Sequence, residues 1–327
     1  MNLRPDITIV VPCYNEEAVL RIFHAEMVRV RSEMTGVSFE IIFVDDGSTD
    51  NTCGIFRELH LADSSVRYLS FSRNFGKEAA MLAGLEEAKG LHVAVMDADL
   101  QDPPSLLPEM YQALVSSDYD CAATRRISRK GNPLVRSLLA RVFYRIMSII
   151  SDADLVNGDR DFRLMSRKMV DAILSVREYN RFSKGIYSFV GFKTHWFEYE
   201  NTERAAGETK WSFRKLFSYS LDGIMAFSTA PLNFASVAGF VLCLVAFAMI
   251  GVVVVKTILW GDPVAGYPSL MSVILFIGGI QLFSIGILGK YLAKTYLETK
   301  NRPPYIIRET SEEQDARTAG TPAQTEG

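Results

Sequence analysis

Cysteine is scarce: Cys13, Cys53, Cys121 and Cys243 are the only four, with no paired spacing and no histidine cluster. Such scatter suggests neither a disulfide framework nor a zinc site, and it suits a reducing compartment. An excess of positive charge is also missing. The formal net charge is −3, which argues against a nucleic-acid partner, since such proteins normally carry a basic excess or a basic face. The N-terminus passes through Arg4 and Asp6 directly into a strand-like stretch. It shows no apolar core of a signal peptide, so the first domain is expected in the cytoplasm. What is plentiful is apolar residue: 48% of 327, enough for two domains and too much for an ordinary soluble chain.

That material is concentrated late. No charged residue occurs between Asp222 and Lys256, and only Asp262 between Lys256 and Lys290. Each gap exceeds the roughly 20 residues that cross about 30 Å of hydrocarbon. Two membrane spans are expected, near Pro231–Val255 and Ser269–Gly289. Lys210, Arg214 and Lys215 precede the first, and Lys290, Lys294, Lys300 and Arg302 follow the second, which places both termini in the cytoplasm. Glycines such as Gly251, Gly278 and Gly286 offer small surfaces where spans of one or several copies would pack, a weak pointer to a homo-oligomer.

Upstream, Ile7–Val11, Glu40–Val44, Val66–Phe71, His92–Met96 and Asp120–Ala123 read as short buried strands. Between the first four lie helix-length amphipathic patterns such as Glu16–Met34 and Thr52–Leu61. This alternation predicts an α/β, mostly parallel, doubly wound sheet, whose ligands bind beyond the carboxyl ends of the strands. Polar clusters stand at those ends: Pro12 to Glu16, Asp45 to Ser48, Ser72 to Asn74, and Asp97 to Asp102. In the last, Asp97 and Asp99 are carboxylates at i and i+2 of an extended segment, able to share one hard divalent ion that keeps positions open for phosphate oxygens. Taken singly, Asp46 to Asp50 would serve as a turn and helix cap and the Asp-x-Asp pair as a strand terminator. Their joint placement at successive strand ends favours a diphosphate site.

Val10 to Glu17, Asp45 to Ser48, Ser72 to Lys77 and Asp97-Ala98-Asp99-Leu100-Gln101-Asp102-Pro103-Pro104 resemble the signature blocks of family 2 glycosyltransferases with the GT-A fold. Asp161 to Met165 and Arg204 to Trp211, followed by two spans, are similar to the polyprenyl-phosphate branch, which includes bactoprenol glucosyltransferases and, more distantly, dolichyl-phosphate mannose synthase. The resemblance runs from about Asp6 to Arg308. It implies a GT-A domain over 1–210, an interfacial amphipathic helix over 211–228, two transmembrane helices over 229–292 and a cytoplasmic tail over 293–327; the polar stretch from about Glu309 lies outside the resemblance, and its composition reads as disordered. Leu134–Ile150 and Phe213–Phe227 both read as amphipathic helices lying in a membrane interface.

The resemblance also implies roles. Pro12, Tyr14, Glu16 and Asp46, with Asp97, become nucleotide-sugar contacts. Asp97, Asp99 and Gln101 become the site of Mg2+ or Mn2+. Arg204 and Lys210 match phosphate-binding residues, and Arg125 and Arg136 fall near positions that face the acceptor phosphate. Asp161 and Asp97 become the catalytic carboxylates. Relatives have Gly-Asp-Phe-Arg-Leu, whereas here Arg160 precedes Asp161 and Gly158-Asp159 lies two residues earlier, so Asp159 stays a candidate beside Asp161. The implied reaction is inverting transfer of a hexose, glucose first, from a UDP-sugar to undecaprenyl phosphate at the cytoplasmic face of a bacterial inner membrane. N-acetylglucosamine, mannose, galactose or an aminopentose would fit the same motifs. Two other classes stay open: a processive polysaccharide synthase, whose Gln-x-x-Arg-Trp block is not visible, and a non-catalytic membrane scaffold.

Overall fold

Ile7–Cys13 forms the first strand, β1, and all but one of its residues are buried. A strand covered on both faces needs no polar alternation, which explains its nearly continuous apolar run. The computed structural model describes residues 4–126, 158–199, 228–260 and 266–318. In it β1 lies parallel to β2 (Phe39–Asp45) on one side and to β4 (His92–Val95) on the other, with β3 (Val66–Phe71) parallel to β2. Helices α1 (Leu20–Glu33), α2 (Thr52–Ala62) and α3 (Lys77–Glu87) link these four strands.

Four more strands complete the sheet: β5 (Cys121–Arg126), β6 (Asp159–Ser166), β7 (Thr194–Tyr199) and β8 (Ile307–Thr310). The order is β7-β5-β6-β4-β1-β2-β3-β8. The parallel half matches the expectation from sequence. The sheet as a whole is mixed, however, because β6 runs antiparallel to β4 and β5, and β8 antiparallel to β3.

Alternate residues of each strand face opposite layers. Ile9, Val11, Phe43 and Phe162 join one core beneath α1, α2 and α4 (Leu107–Ser116). Phe43 is wedged between Phe23 and Phe56, with ring centroids 6.1 and 5.0 Å away, and burial of such a ring contributes about 3 kcal/mol. Val10, Ile42, Val95 and Met165 join the other core, beneath α3, α5 (Arg167–Ser175) and α6 (Ser183–Phe189). Gly84 lets α3 press onto the sheet: a Cβ there would lie 2.1 Å from Val10 Cγ1.

The chain adds β2 and β3 on one side of β1 and then crosses to β4 on the other. A crevice opens where the order reverses, at the carboxyl ends of β1 and β4. Pro12 fits here without cost, since pairing between β1 and β4 stops at Val10 and Val95, before its missing N–H matters.

Two long helices follow. α7 (Ala230–Trp260) and α8 (Tyr267–Thr299) would each span about 45–50 Å at 1.5 Å per residue, and both are long and apolar enough to cross a membrane. Many of their described apolar side chains are exposed, Phe247 being 74% and Leu282 72% exposed. The Tyr291 hydroxyl donates to Ser228 O at 2.6 Å, and Glu298 accepts the N–H groups of Tyr179 and Asn180 at 3.0 and 3.2 Å. The expected amphipathic helices at 134–150 and 213–227 lie outside the described residues.

The tail corrects one expectation. From Ile307 it forms β8 and then α9 (Ser311–Thr318), so order continues past Glu309 and the sheet draws its edge strand from beyond the apolar helices. Polar composition suggested disorder, but the charges meet fixed partners. Glu309 accepts two bonds from Arg57, at 2.8 and 2.6 Å, and Glu312 pairs with Arg67 at 3.1 Å.

Candidate active site

Loops from successive strand ends are stitched together by side-chain bonds to backbone. After β1, Asn15 adopts a left-handed conformation (φ 55°); its N–H donates to Ser48 Oγ at 2.9 Å and its Oδ1 accepts from Thr49 N at 2.8 Å. Glu16 N donates to Thr52 Oγ1 at 2.9 Å. Pro12, Tyr14 and Glu16, expected at the nucleoside, therefore lie on one clasp with the loop after β2, and Tyr14 presents an exposed ring.

Asp46 lies deeper than a simple ligand contact. Burial pushes its carboxyl up, against hydrogen bonds from Phe75 N at 2.6 Å and Gly76 N at 3.0 Å. It thus organises the loop leading into α3, and any contact to a nucleoside comes in addition to that duty. Gly47 is fixed by the same packing: at φ 68°, a Cβ would sit 2.3 Å from the Arg73 carbonyl carbon.

α3 starts with Lys77, directly after the loop Asp46 holds. The Lys77 ammonium lies 2.6 Å from Asp97 Oδ1 and 2.5 Å from Asp161 Oδ2. The sheet brings these carboxylates together: β6 pairs Arg163 with Val95, and two further residues of that register set Asp161 across from Asp97. Burial would raise the Asp161 carboxyl, but Lys77, with Lys184 and Arg160 behind it, outweighs burial and holds it well below the ordinary carboxylate range. Burial would likewise lower the Lys77 ammonium, and the two carboxylates hold it well above its usual value. In sequence Lys77 is only the last residue of the Ser72–Lys77 block, with nothing beside it to indicate a role. Its partner Asp161 stands 84 residues away, and only the fold reveals the pair.

The structure separates Asp159 from Asp161. Asp159 is buried and paired with the Arg163 guanidinium at 2.7 Å, which stacks 3.8 Å over the Tyr187 ring. Burial pushes the Asp159 carboxyl up against that arginine. Arg160 points to the opposite face of β6, where its Nε donates to Asp102 Oδ1 at 2.8 Å; Asp102 is 1% exposed and also accepts the Tyr199 hydroxyl. Of the two candidate carboxylates, Asp161 is the one that shares a cation with Asp97.

Asp97 and Asp99 stand in the turn that follows β4, and Leu100 between Asp99 and Gln101 is forced to φ 56°. A branched side chain in that region stores strain of about 1–3 kcal/mol, which clusters at functional sites. Gln101 N donates to Asp99 Oδ1 at 3.1 Å and so braces it. Among the described residues no group of three or more His, Cys, Asp or Glu could hold a metal by itself. The donor set fits a hard dication held by one or two carboxylates and completed by diphosphate oxygens.

Arg125 pairs with Glu198 on the neighbouring strand, and its Nε is buried without a hydrogen-bond partner among the described residues. Arg136, Arg204 and Lys210 lie outside the described residues.

The model of the family described as Glycosyl transferase family 2 matches residues 8–174. A prophage bactoprenol glucosyl transferase homolog of Escherichia coli (strain K12) is 42% identical over 302 residues, covering 92% of this chain and 98% of that protein. An SfII prophage-derived bactoprenol glucosyl transferase of Shigella flexneri is 40% identical over 304 residues, covering 93% and 98%. Among solved structures, a mannosyltransferase from Pyrobaculum calidifontis in complex with GDP-Man and Mn2+ aligns with 89% of this chain and 88% of its own, at 14% identity and a TM-score of 0.45. The sequence matches span the crevice from Asp46 to Asp161, and on them this chain, with its GT-A-like mixed sheet, belongs to glycosyl transferase family 2.

Proposed function

We propose that this glycosyltransferase moves a hexose, glucose first, from a UDP-sugar to undecaprenyl phosphate, with inversion, at the cytoplasmic face of a bacterial inner membrane. The observation that carries the reading is the pair Asp97 and Asp161, set across from each other at the crevice and bridged by Lys77. Two relatives named bactoprenol glucosyl transferases, near 40% identity along most of the chain, favour a polyprenyl phosphate acceptor and glucose.

The chemistry fits a phosphate nucleophile. A phosphate monoester with a second pKa near 6 is largely dianionic at neutral pH and attacks the anomeric carbon without a strong base. Asp161, held below the ordinary carboxylate range, is a poor proton acceptor and a good fixed charge. We assign it to orienting the sugar and the incoming phosphate. Asp97 and Asp99 would hold Mg2+ or Mn2+, with Gln101 bracing the turn, and the ion would offset the charge that builds on the departing diphosphate. The clasp of Pro12, Tyr14 and Glu16, with the loop held by Asp46, would receive the nucleoside. Arg125, Arg136, Arg204 and Lys210 are proposed for the acceptor phosphate. The helices α7 and α8 would span the membrane with both termini inside, a topology favoured by their length and by the cationic residues that flank the apolar stretches.

The test incubates purified protein with UDP-glucose, undecaprenyl phosphate and Mg2+, with EDTA and Asp99→Asn as controls. Lipid-linked glucose is expected, and both controls should suppress it. Transfer untouched by either control would remove the metal-centred mechanism, and no transfer from a panel of nucleotide sugars would remove the activity.

A further inference from the structure

The segment beyond α8 reaches the nucleotide half of the sheet. Ser72 donates its N–H to Ile306 O at 2.9 Å, where β8 joins the carboxyl end of β3. Tyr305 stacks on Phe71 with centroids 5.0 Å apart and planes at 12°, and its hydroxyl donates to Glu86. This docking delivers a cation, Arg308, to the ends of β2 and β3. Arg308 Nη2 donates to Ser70 Oγ at 2.8 Å and stands 3.8 Å from Asp45 Oδ2; Ser70 Oγ donates to that same oxygen at 2.7 Å.

Asp45 is fully buried, and its other oxygen accepts Ser48 N at 2.8 Å, closing the turn that contains Asp46 and Gly47. Burying a carboxylate is costly unless it is paired and hydrogen-bonded. Here Ser70 and Arg308 supply those partners from one side, and the turn takes the benefit on the other. Both rims of the expected nucleoside clasp depend on that turn: Ser48 Oγ receives Asn15 N, and Asp46 carries Phe75 and Gly76.

We propose that Arg308 is a positioning residue of the donor site: acting through Ser70 and Asp45, it holds the Asp46–Ser48 turn in the shape that receives the nucleoside. The inference rests on the nucleotide-sugar reading above. It also gives the tail a function, since the strand that follows the second apolar helix becomes part of the donor site.

The experiment titrates full-length protein in detergent with UDP, GDP, CDP and dTDP, comparing wild type with Arg308→Ala, Arg308→Lys and Glu312→Ala. The last cuts the tail's ion pair with Arg67 and leaves Arg308 in place. Arg308→Ala should weaken the best nucleotide about tenfold, as expected for a lost charge-assisted bond, with Arg308→Lys recovering part and Glu312→Ala binding as wild type. Amide exchange should quicken in the peptide covering Asp46–Thr52, with the lipid-acceptor KM unchanged. Equal weakening in Arg308→Ala and Glu312→Ala would reduce Arg308 to general tail docking and overturn the proposal, as would wild-type binding and exchange in Arg308→Ala. Wild-type protein that binds no nucleoside diphosphate would instead sink the nucleotide-sugar reading, and the exchange measurement would still decide whether Arg308 holds the turn.

Discussion

Arg160 and Asp161 are neighbours in sequence and serve opposite faces of one strand. The guanidinium of Arg160 is bonded to buried Asp102 on one side of β6, while the carboxylate of Asp161 meets Lys77 on the other. Strand alternation imposes this, because successive side chains point to opposite faces. Arg160, expected from the resemblance to be a glycine, therefore does not form an ion pair with Asp161. It ties the start of β6 to the turn that carries Asp97 and Asp99.

The two candidate carboxylates should separate by experiment. Asp161→Asn should keep the fold and lose transfer by about 10²-fold or more, since a fixed charge at the reacting centre is removed. Asp159→Asn leaves the buried Arg163 without its counter-charge, which should cost about 3 kcal/mol of stability. Thermal melts and product assays on both variants check this. An Asp159→Asn protein as stable as wild type would show the buried pair to be dispensable.

Lys77→Met removes the ammonium shared by Asp97 and Asp161. The two carboxylates would then repel each other, so transfer should fall by about 10²-fold while the circular dichroism spectrum stays that of wild type. Near-normal turnover would mean that the bridge has no part in catalysis.

Gly47→Ala should be harmful on two counts. The residue sits at φ 68°, and the new methyl would meet the Arg73 backbone at 2.3 Å, so at least about 2 kcal/mol of stability should go. Donor binding should weaken with it. Retained affinity and melting temperature would show that the loops after β2 and β3 relax apart at little cost.

The docked tail predicts a pH dependence. Hydrogen bonds from Arg57 hold the Glu309 carboxyl at about 2, against an ordinary value of 4.5. A depressed carboxylate stabilises the fold fully above its unfolded value and loses that contribution as pH falls through the folded one. Glu309→Gln should therefore lower the melting temperature equally from pH 7 to about 5, and the gap should close as pH falls from 4.5 towards 2. A gap that persists at pH 2 would rule out charge as its origin.

Much of this was legible in the residues. The parallel strands β1 to β4 announce themselves as apolar runs ending in polar clusters, because both of their faces are covered. β6 is legible only as a motif: Asp159, Arg160, Asp161 and Arg163 are charged, and nothing local says that Asp159 and Arg163 pair with each other while Arg160 and Asp161 meet partners from other elements. β8 and α9 are hidden more fully, since Arg308, Glu309 and Glu312 give a solvent-like composition that becomes structure only against Arg57, Arg67 and Ser70. The role of Lys77 was invisible for the same reason. Pairings across 84 or 252 residues leave no periodic trace in sequence.

The pairing of β8 with β3 also sets an order of events during synthesis. At ~5–20 residues per second, the ribosome needs on the order of ten seconds to a minute to travel from Phe71 to Ile307. Throughout that interval β3 is an open edge, free to pair with any extended chain it meets. Both apolar helices must emerge before the last strand can close it, so the sheet is completed only after the whole helical region has been made.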